Sequence, residues 1–442
     1  MSSVLSPRSR AWLAAPGIAP LTAVGALSTA LTAGFTAALT AARTAALFVA
    51  LLSLSVSAQT PATQPAAPVT PSPALSLHAA PATVPATAPS PAHAEAPAAP
   101  GASASPITIT LLLPPQNSPF ARAAEVVRQG AFAAQAMSAA DVTLQVVEVD
   151  DQPLRVQEAL LRARERGAQV VLGPLTRTQV AAAAQTRVPL PMVMLNHAEQ
   201  DGGALPTVLA LGLTIEQEVR VLVRGSLRQL VPAANPTLGA APRLTPRVVI
   251  VAGDTPLARR ATAALGDTLR DAGERYTVLS FSPKFDALLA LGERITKEQP
   301  EAIYLALDAR EAAIARPRLP RDVLIFGTSQ VNLGGAEGAL LAPDLEGIVF
   351  VDAPWLLEPD HPAVMVYAKP AQPLSAELQR LYALGIDGYR IALAWAGGHS
   401  QFTLDGVTGW LQVDRALSAR VERWPSFAVF RGGGIEKIEI AR

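Results

Sequence analysis

No cysteine occurs anywhere in the 442 residues. That excludes disulfides, thiolate metal ligands, a cysteine nucleophile and any cysteine-linked lipid anchor on this sequence. Histidine is scarce as well, with five copies. His78 and His93 fall in low-complexity sequence, and His197, His361 and His399 show no metal-ligand spacing, so a zinc enzyme is not expected. The formal net charge is zero, which argues against an electrostatic nucleic-acid binder, since those carry a basic footprint. Lysine is rare, at 4 copies against 32 arginines, a bias that reads as high-GC codon usage rather than function. The phosphate-cradling patterns GxGxxG and GxxxxGK[ST] are missing. So is the nucleophile elbow GxSxG; Gly327-Thr328-Ser329 comes nearest, but Val331 stands where its last glycine belongs. Adjacent Asp150 and Asp151 do not supply the separation that a carboxylate acid/base pair needs. No catalytic residue, cofactor or metal ligand is assigned, and an enzyme is not expected.

What is present divides into three parts. Residues 1–106 hold only Arg8, Arg10, Arg43 and Glu95 as charged groups, which leaves 33 basic and 35 acidic residues in 107–442. Arg43 precedes an apolar run, Ala45–Val56, ending in Val56-Ser57-Ala58. A basic residue, a short apolar core and small residues before the cut describe a secretory signal within a 1–58 leader, cleaved after Ala58. The rival is an uncleaved membrane tether, for which the run is short, since a span takes ~20 apolar residues. Residues 59–106 hold twelve prolines among Ala, Ser and Thr. Such a segment cannot bury enough apolar surface to offset its ordering entropy, so it reads as a disordered spacer. In polyproline II it would reach on the order of 150 Å.

From Ile107 the pattern changes. Ile107–Leu113 reads as a strand, about 120–140 as a helix, and Val142–Val149 as a second strand. Val156, Leu160 and Ala163 then share one helical face. Apolar runs keep alternating with amphipathic stretches through Val208–Leu211, and the alternation restarts with a helix lined by Ile215, Val219, Leu222 and Leu230 and a strand at Arg247–Ala252. This predicts an α/β fold of mostly parallel sheets covered on both faces. Two doubly wound units imply two Rossmann-like lobes, approximately 107–212 and 213–350, with 351–442 completing them. Leu378–Trp395 reads as a long helix containing Gly385 and Gly388. Phe402–Val413 and Ser426–Phe430 read as a terminal hairpin, with Gly432–Gly434 as a turn.

Ligands of open α/β sheets bind beyond the carboxyl ends of the strands. The polar residues there in the first lobe are Gln116, Asn117, Ser118, Asp150, Asp151, Thr176, Arg177, Thr178, Asn196 and His197. The second lobe offers Asp254, Asp308, Thr328, Ser329 and Asp352. If the chain is a receptor, Thr176, Thr178, Asn196 and Thr328 are the expected contacts. Their hydroxyls and amide both donate and accept, which suits a small zwitterion between the lobes. The competing reading is that Asp150, Thr176 or Thr178 simply caps the next helix. Trp355 is open in the same way. It is either core packing or an exposed anchor for a partner protein, with Asp352 and Asp360 as rim charges.

Asp150-Asp151-Gln152, followed by EALLRARERGAQVVLGPLTRTQV at 158–180, resembles the type I periplasmic binding proteins. The tail Leu404–Gly409 is similar to theirs too. Three further stretches resemble the LppC family, the LpoA-type penicillin-binding-protein activators. They are GTSQVN (Gly327–Asn332), DLEGIVFVDAPWLL (Asp344–Leu357) and LYALGIDGYRIA (Leu381–Ala392). The likeness covers about 107–442. It implies a two-lobed binding-protein fold and a non-catalytic periplasmic protein that stimulates a class A penicillin-binding protein. Two departures stand out. The best-known members are outer-membrane lipoproteins, whereas this sequence has no cysteine to acylate. They also carry a helical-repeat domain where this sequence has its Ala/Pro spacer.

Two functions therefore compete: a periplasmic regulator of peptidoglycan synthesis, and a solute receptor for an amino acid or short peptide serving an importer. The export reading is checked directly. N-terminal sequencing of the mature envelope protein should begin at Gln59, whereas a start upstream of Arg43 would show a retained tether.

Overall fold

The computed structural model describes residues 106–197, 207–230 and 247–440. The 1–58 leader and nearly all of the 59–106 spacer lie outside the described residues. The first lobe is built on β1 (Ile107–Leu113), β2 (Val142–Glu148), β3 (Val170–Leu172), β4 (Met192–Met194) and β5 (Val208–Ala210). They form one parallel sheet in the order β2-β1-β3-β4-β5. Along β1 the side chains alternate. Ile109, Leu111 and Leu113 enter one core and Leu112 the other, so both faces are covered. The helices α1 (Ala121–Ala136), α2 (Pro153–Glu165) and α3 (Arg177–Gln185) connect these strands. α1 packs on the first face, α2 and α3 on the second.

The second lobe repeats the plan with β6 (Arg247–Ala252), β7 (Arg275–Ser280), β8 (Ala302–Ala306), β9 (Leu324–Gly327) and β10 (Ile348–Asp352). These pair in parallel as β7-β6-β8-β9-β10. Helices α4 (Ile215–Leu230) and α5 (Pro256–Asp271) cover one face. α6 (Phe285–Glu298), α7 (Ala309–Ala315) and α8 (Gly335–Leu341) cover the other. The central strands β8 and β10 are buried at every residue, as expected for a sheet sandwiched between helices. Each Leu, Ile or Val so buried contributes about 1.5–3 kcal/mol of transfer free energy.

After β10 the chain returns to the first lobe. Two short helices, α9 (Pro354–Leu357) and α10 (Pro362–Met365), lead into α11 (Ala376–Ala396), which packs along α1. Glycines allow the close approach. A Cβ on Gly130 would lie 2.0 Å from the Tyr382 carbonyl oxygen, and one on Gly385 would lie 2.2 Å from that of Val127. Next, β11 (Gln401–Asp405), β12 (Trp410–Asp414) and β13 (Glu422–Trp424) form a small antiparallel sheet. The segment before β13 hydrogen-bonds to Ala210 at the end of β5. The chain then crosses a third time, and β14 (Ser426–Arg431) joins the second sheet antiparallel to β10, with β15 (Gly434–Ile438) antiparallel to β14 at the edge.

Two expectations are corrected. The helix read as 120–140 stops at Ala136. The expected hairpin between 402–413 and 426–430 does not form. Each stretch makes a hairpin of its own, 401–405 with 410–414 and 426–431 with 434–438. Gly432 and Gly433, with φ of 60° and 76°, supply the left-handed turn that joins the second pair.

Gly385→Ala tests the α1–α11 contact. At an open helical site the change would stabilise by about 1 kcal/mol. Here the clash with backbone should reverse the sign and cost about 1–3 kcal/mol, read as a lower denaturation midpoint.

Candidate functional site

The two parallel sheets point their carboxyl ends at a common cleft. Its cavity measures about 290 Å³. Arg177 at the start of α3 and Asn196 after β4 line the first-lobe side. Thr214 and Glu218 come from the first crossing and α4, Ser329 and Gln330 from the turn after β9, and Glu377 and Arg380 from α11.

A buried polar network closes the base of this cleft. Arg380 belongs to the helix that packs on the first lobe, and its guanidinium reaches into the second. Its Nε donates to Asp352 Oδ1 at 2.8 Å and its Nη2 to Asp352 Oδ2 at 2.7 Å, a two-pronged fork. The same Nη2 also donates to the carbonyls of Ser329 and Asn332, each at 2.9 Å. Asn332 Nδ2 and the Ala353 N–H complete the shell around Asp352, at 2.8 and 2.7 Å. Burial works against the Arg380 charge, yet the Asp352 carboxylate outweighs it and holds the pKa above its ordinary value.

A second pair lies alongside. Glu218 accepts from the Ser329 N–H at 3.2 Å and faces Arg423 at 3.6 Å, with both side chains buried. That separation is an ionic contact without a hydrogen bond. Burial accordingly dominates both groups, raising Glu218 and lowering Arg423 from their usual values. Arg423 also donates to the Thr408 carbonyl at 3.2 Å. Asp387 of α11 is fully buried and takes three bonds from Val407 N–H, Thr408 N–H and Thr408 Oγ1, at 3.0, 2.7 and 2.7 Å. Burial still raises its pKa. The network thus joins α11, β10, the turn after β9, α4 and the small antiparallel sheet.

The four expected ligand contacts are not gathered at one point. Asn196 faces the cleft, but its amide donates to the Leu175 carbonyl and accepts from the His197 N–H. Thr176 is 6% exposed and caps α3 in a reciprocal box with Gln179, while its hydroxyl donates to Asp151 Oδ1 at 2.8 Å. Thr178 is exposed and does not line the cleft. Thr328 is buried, caps the turn at 329–331 and lines a separate cavity of about 30 Å³. The capping alternative therefore describes Thr176 and Thr328, because a hydroxyl at a strand end finds free backbone N–H groups before any ligand does. Asp308 likewise caps α7.

The partner contacts need a correction too. Asp352 and Trp355 are each 2% exposed, so neither presents a side chain to another protein. Trp355 sits in the first-lobe core against Tyr382, ring centroids 5.2 Å apart, with the Lys369 ammonium 3.7 Å from its ring centroid. Asp360 is exposed. Sequence reasoning missed Glu218, Glu377 and Arg380 because charges on amphipathic helices ordinarily read as solvated faces. Among the described residues no group of three or more acidic or histidine side chains is placed to hold a metal ion. No helix among them is long and apolar enough to cross a membrane.

Residues 91–229 and 285–433 match the family described as "LppC putative lipoprotein". The chain is 25% identical over 315 residues to the penicillin-binding protein activator LpoA of Edwardsiella ictaluri, covering 64% of this chain and 46% of that protein. It is 25% identical over 346 residues to LpoA of Vibrio cholerae, covering 70% and 54%. The chain therefore spans about half the length of these relatives. Among solved structures, the LpoA C-domain of Haemophilus influenzae, described as a regulator of PBP1A, superposes with a TM-score of 0.60 at 19% identity. The match covers 75% of this chain and 100% of that one. A Chromobacterium violaceum structure described as "a putative branched-chain amino acid ABC transporter" gives 0.60 at 33% identity, covering 73% and 99%.

The Arg380–Asp352 fork makes a quantitative prediction. Asp352→Ala should cost about 3–5 kcal/mol in urea unfolding, because it strands a buried guanidinium. The double variant Arg380→Met/Asp352→Leu should cost clearly less than the two single changes summed.

Proposed function

The chain belongs to the LppC family, and on that footing we propose that it is a non-catalytic periplasmic regulator of peptidoglycan synthesis that binds and activates a class A penicillin-binding protein. The observation that carries this reading is the family match, which runs through both lobes. The cleft agrees with it. The charged groups at its base are already paired to one another, so an added ligand would have to compete with bidentate and buried internal bonds. A regulator that works through its surface has no need of that ligand.

With Asp352 and Trp355 inside the fold, the proposed contact face moves to the turn that carries Asp360. Met365 and Val366, just beyond it, are 63% and 49% exposed. An apolar pair beside a charged residue fits an interface of local anchors with a polar rim. The near-neutral charge of 107–442 fits a partner found without strong electrostatic steering.

The second reading, a receptor for an amino acid or short peptide, is favoured by the 33% identity to the Chromobacterium violaceum structure. One pair of measurements separates the two. The full chain should co-purify with a class A penicillin-binding protein of its own envelope and raise that enzyme's rate of glycan polymerisation. Met365→Asp should weaken the interaction at least tenfold while leaving the melting temperature unchanged. A panel of amino acids and short peptides should leave the melt unmoved. A saturating ligand would instead stabilise by ~2.7 kcal/mol at a hundredfold excess over its Kd and would favour the receptor.

A further inference from the structure

A second cavity, of about 300 Å³, lies apart from the cleft and shares no lining residue with it. It opens where the second and third crossings run past α4, between Pro354 and the segment Trp424–Phe427. Two indoles line it. Trp410 of β12 and Trp424 of β13 are paired directly across the small sheet, so they stand side by side on one face. Both are only partly buried. Paired aromatic side chains that stay partly exposed on the wall of a concave site, with Trp424 also resting on the core beneath it, are ligand-contact chemistry.

The charged groups around them are balanced. Arg224 and Arg228, one turn apart on α4, and Lys437 of β15 contribute positive charge. Glu358, Asp405 and Glu439 contribute as much negative charge. Lys437 lies 2.8 Å from Glu358 and 2.9 Å from Glu439, and Ser426 Oγ also hydrogen-bonds Glu358. Burial alone would raise Glu358, but Lys437 and Ser426 hold it below the usual carboxylate range, so it is ionised at neutral pH. His361 accepts from the Ala363 N–H through Nδ1, which leaves its Nε2 hydrogen directed toward Asp405 at 3.7 Å.

Such a rim offers fixed donors and acceptors but no net attraction for an ion. The floor offers flat apolar surface. The ligand class that matches both is a neutral ring with an apolar face and hydroxyls at its edge. We propose that this cavity, with Trp410 and Trp424 as its platform and Arg224, Glu358 and Asp405 as its hydrogen-bonding rim, binds a neutral pyranose unit of a saccharide. A cavity this size is at the small end for ligand sites and suits a ring-sized unit rather than a folded peptide. The inference does not rest on the penicillin-binding-protein proposal and stands if that partner is wrong.

Chitotriose and maltotriose titrated into the full chain, followed by tryptophan emission and calorimetry, provide the test. One of the two should bind with a Kd on the order of millimolar or tighter and shift the emission. Trp410→Ala should weaken that binding at least tenfold. Arg224→Ala, at an exposed position, should weaken it severalfold with an unchanged melting temperature, which covers the case in which Trp410→Ala does not fold. Three results would overturn the assignment: no response to either saccharide, binding untouched by both variants, or binding abolished by Gln330→Ala in the cleft instead.

Discussion

The bond between Arg380 and Asp352 is the constraint on which the two-lobed arrangement turns. It links a helix of the first lobe to the last parallel strand of the second. The guanidinium is buried with its charge intact, which is tolerable only because a carboxylate and two backbone carbonyls receive it. The geometry is therefore demanding. Rotating one lobe against the other would stretch a fork whose two bonds are both below 3 Å. In a binding-protein fold, a ligand ordinarily draws the lobes together. Here the protein's own side chains join the two lobes at the base of the cleft, and Arg380 and Glu218 also line the cavity of about 290 Å³ above it.

That bond depends in turn on how α11 is seated. The helix is contributed by the C-terminal part of the chain yet lies against α1, near the beginning of the described residues. Gly130 and Gly385 bring the two backbones together, and Gly388 lets α11 settle on Leu172 of β3 and Leu195 just after β4. Asp387, one residue away, pins the turn between β11 and β12 through Val407 and Thr408. One helix thus carries three separate duties: packing the first core, bridging the cleft through Arg380, and anchoring the turn between β11 and β12 through Asp387. The stretch 381–392 combines Gly385 and Gly388, the buried Asp387 and the core residues Tyr382 and Tyr389 in twelve consecutive residues.

Much of this was legible from pattern alone. Continuous apolar runs such as 247–252 and 302–306 specify buried parallel strands, and the alternation with amphipathic helices specifies doubly wound lobes. The candidate site was legible only in part. Arg177, Asn196 and Ser329 follow strands, and strand ends do surround the cleft. Thr176 and Thr328 follow strands as well, but their hydroxyls are spent on helix and turn caps. A strand-end rule finds the region, whereas the competition between a cap and a ligand is decided by backbone geometry that sequence does not carry.

The sequence by itself determined the α/β class, the sheet-forming segments, the absence of thiol chemistry and the family likeness, because each depends on local composition or short-range order. The tertiary structure alone decided which charges meet. Arg380 and Asp352 are separated by 28 positions, and Glu218 and Arg423 by far more, on elements that look like ordinary solvated helix and strand ends. It also decided that Trp355 is interior while Trp410 and Trp424 line a cavity. Burial and pairing are properties of surfaces brought together by folding. Only the packed chain fixes which tryptophan becomes core and which lines a cavity.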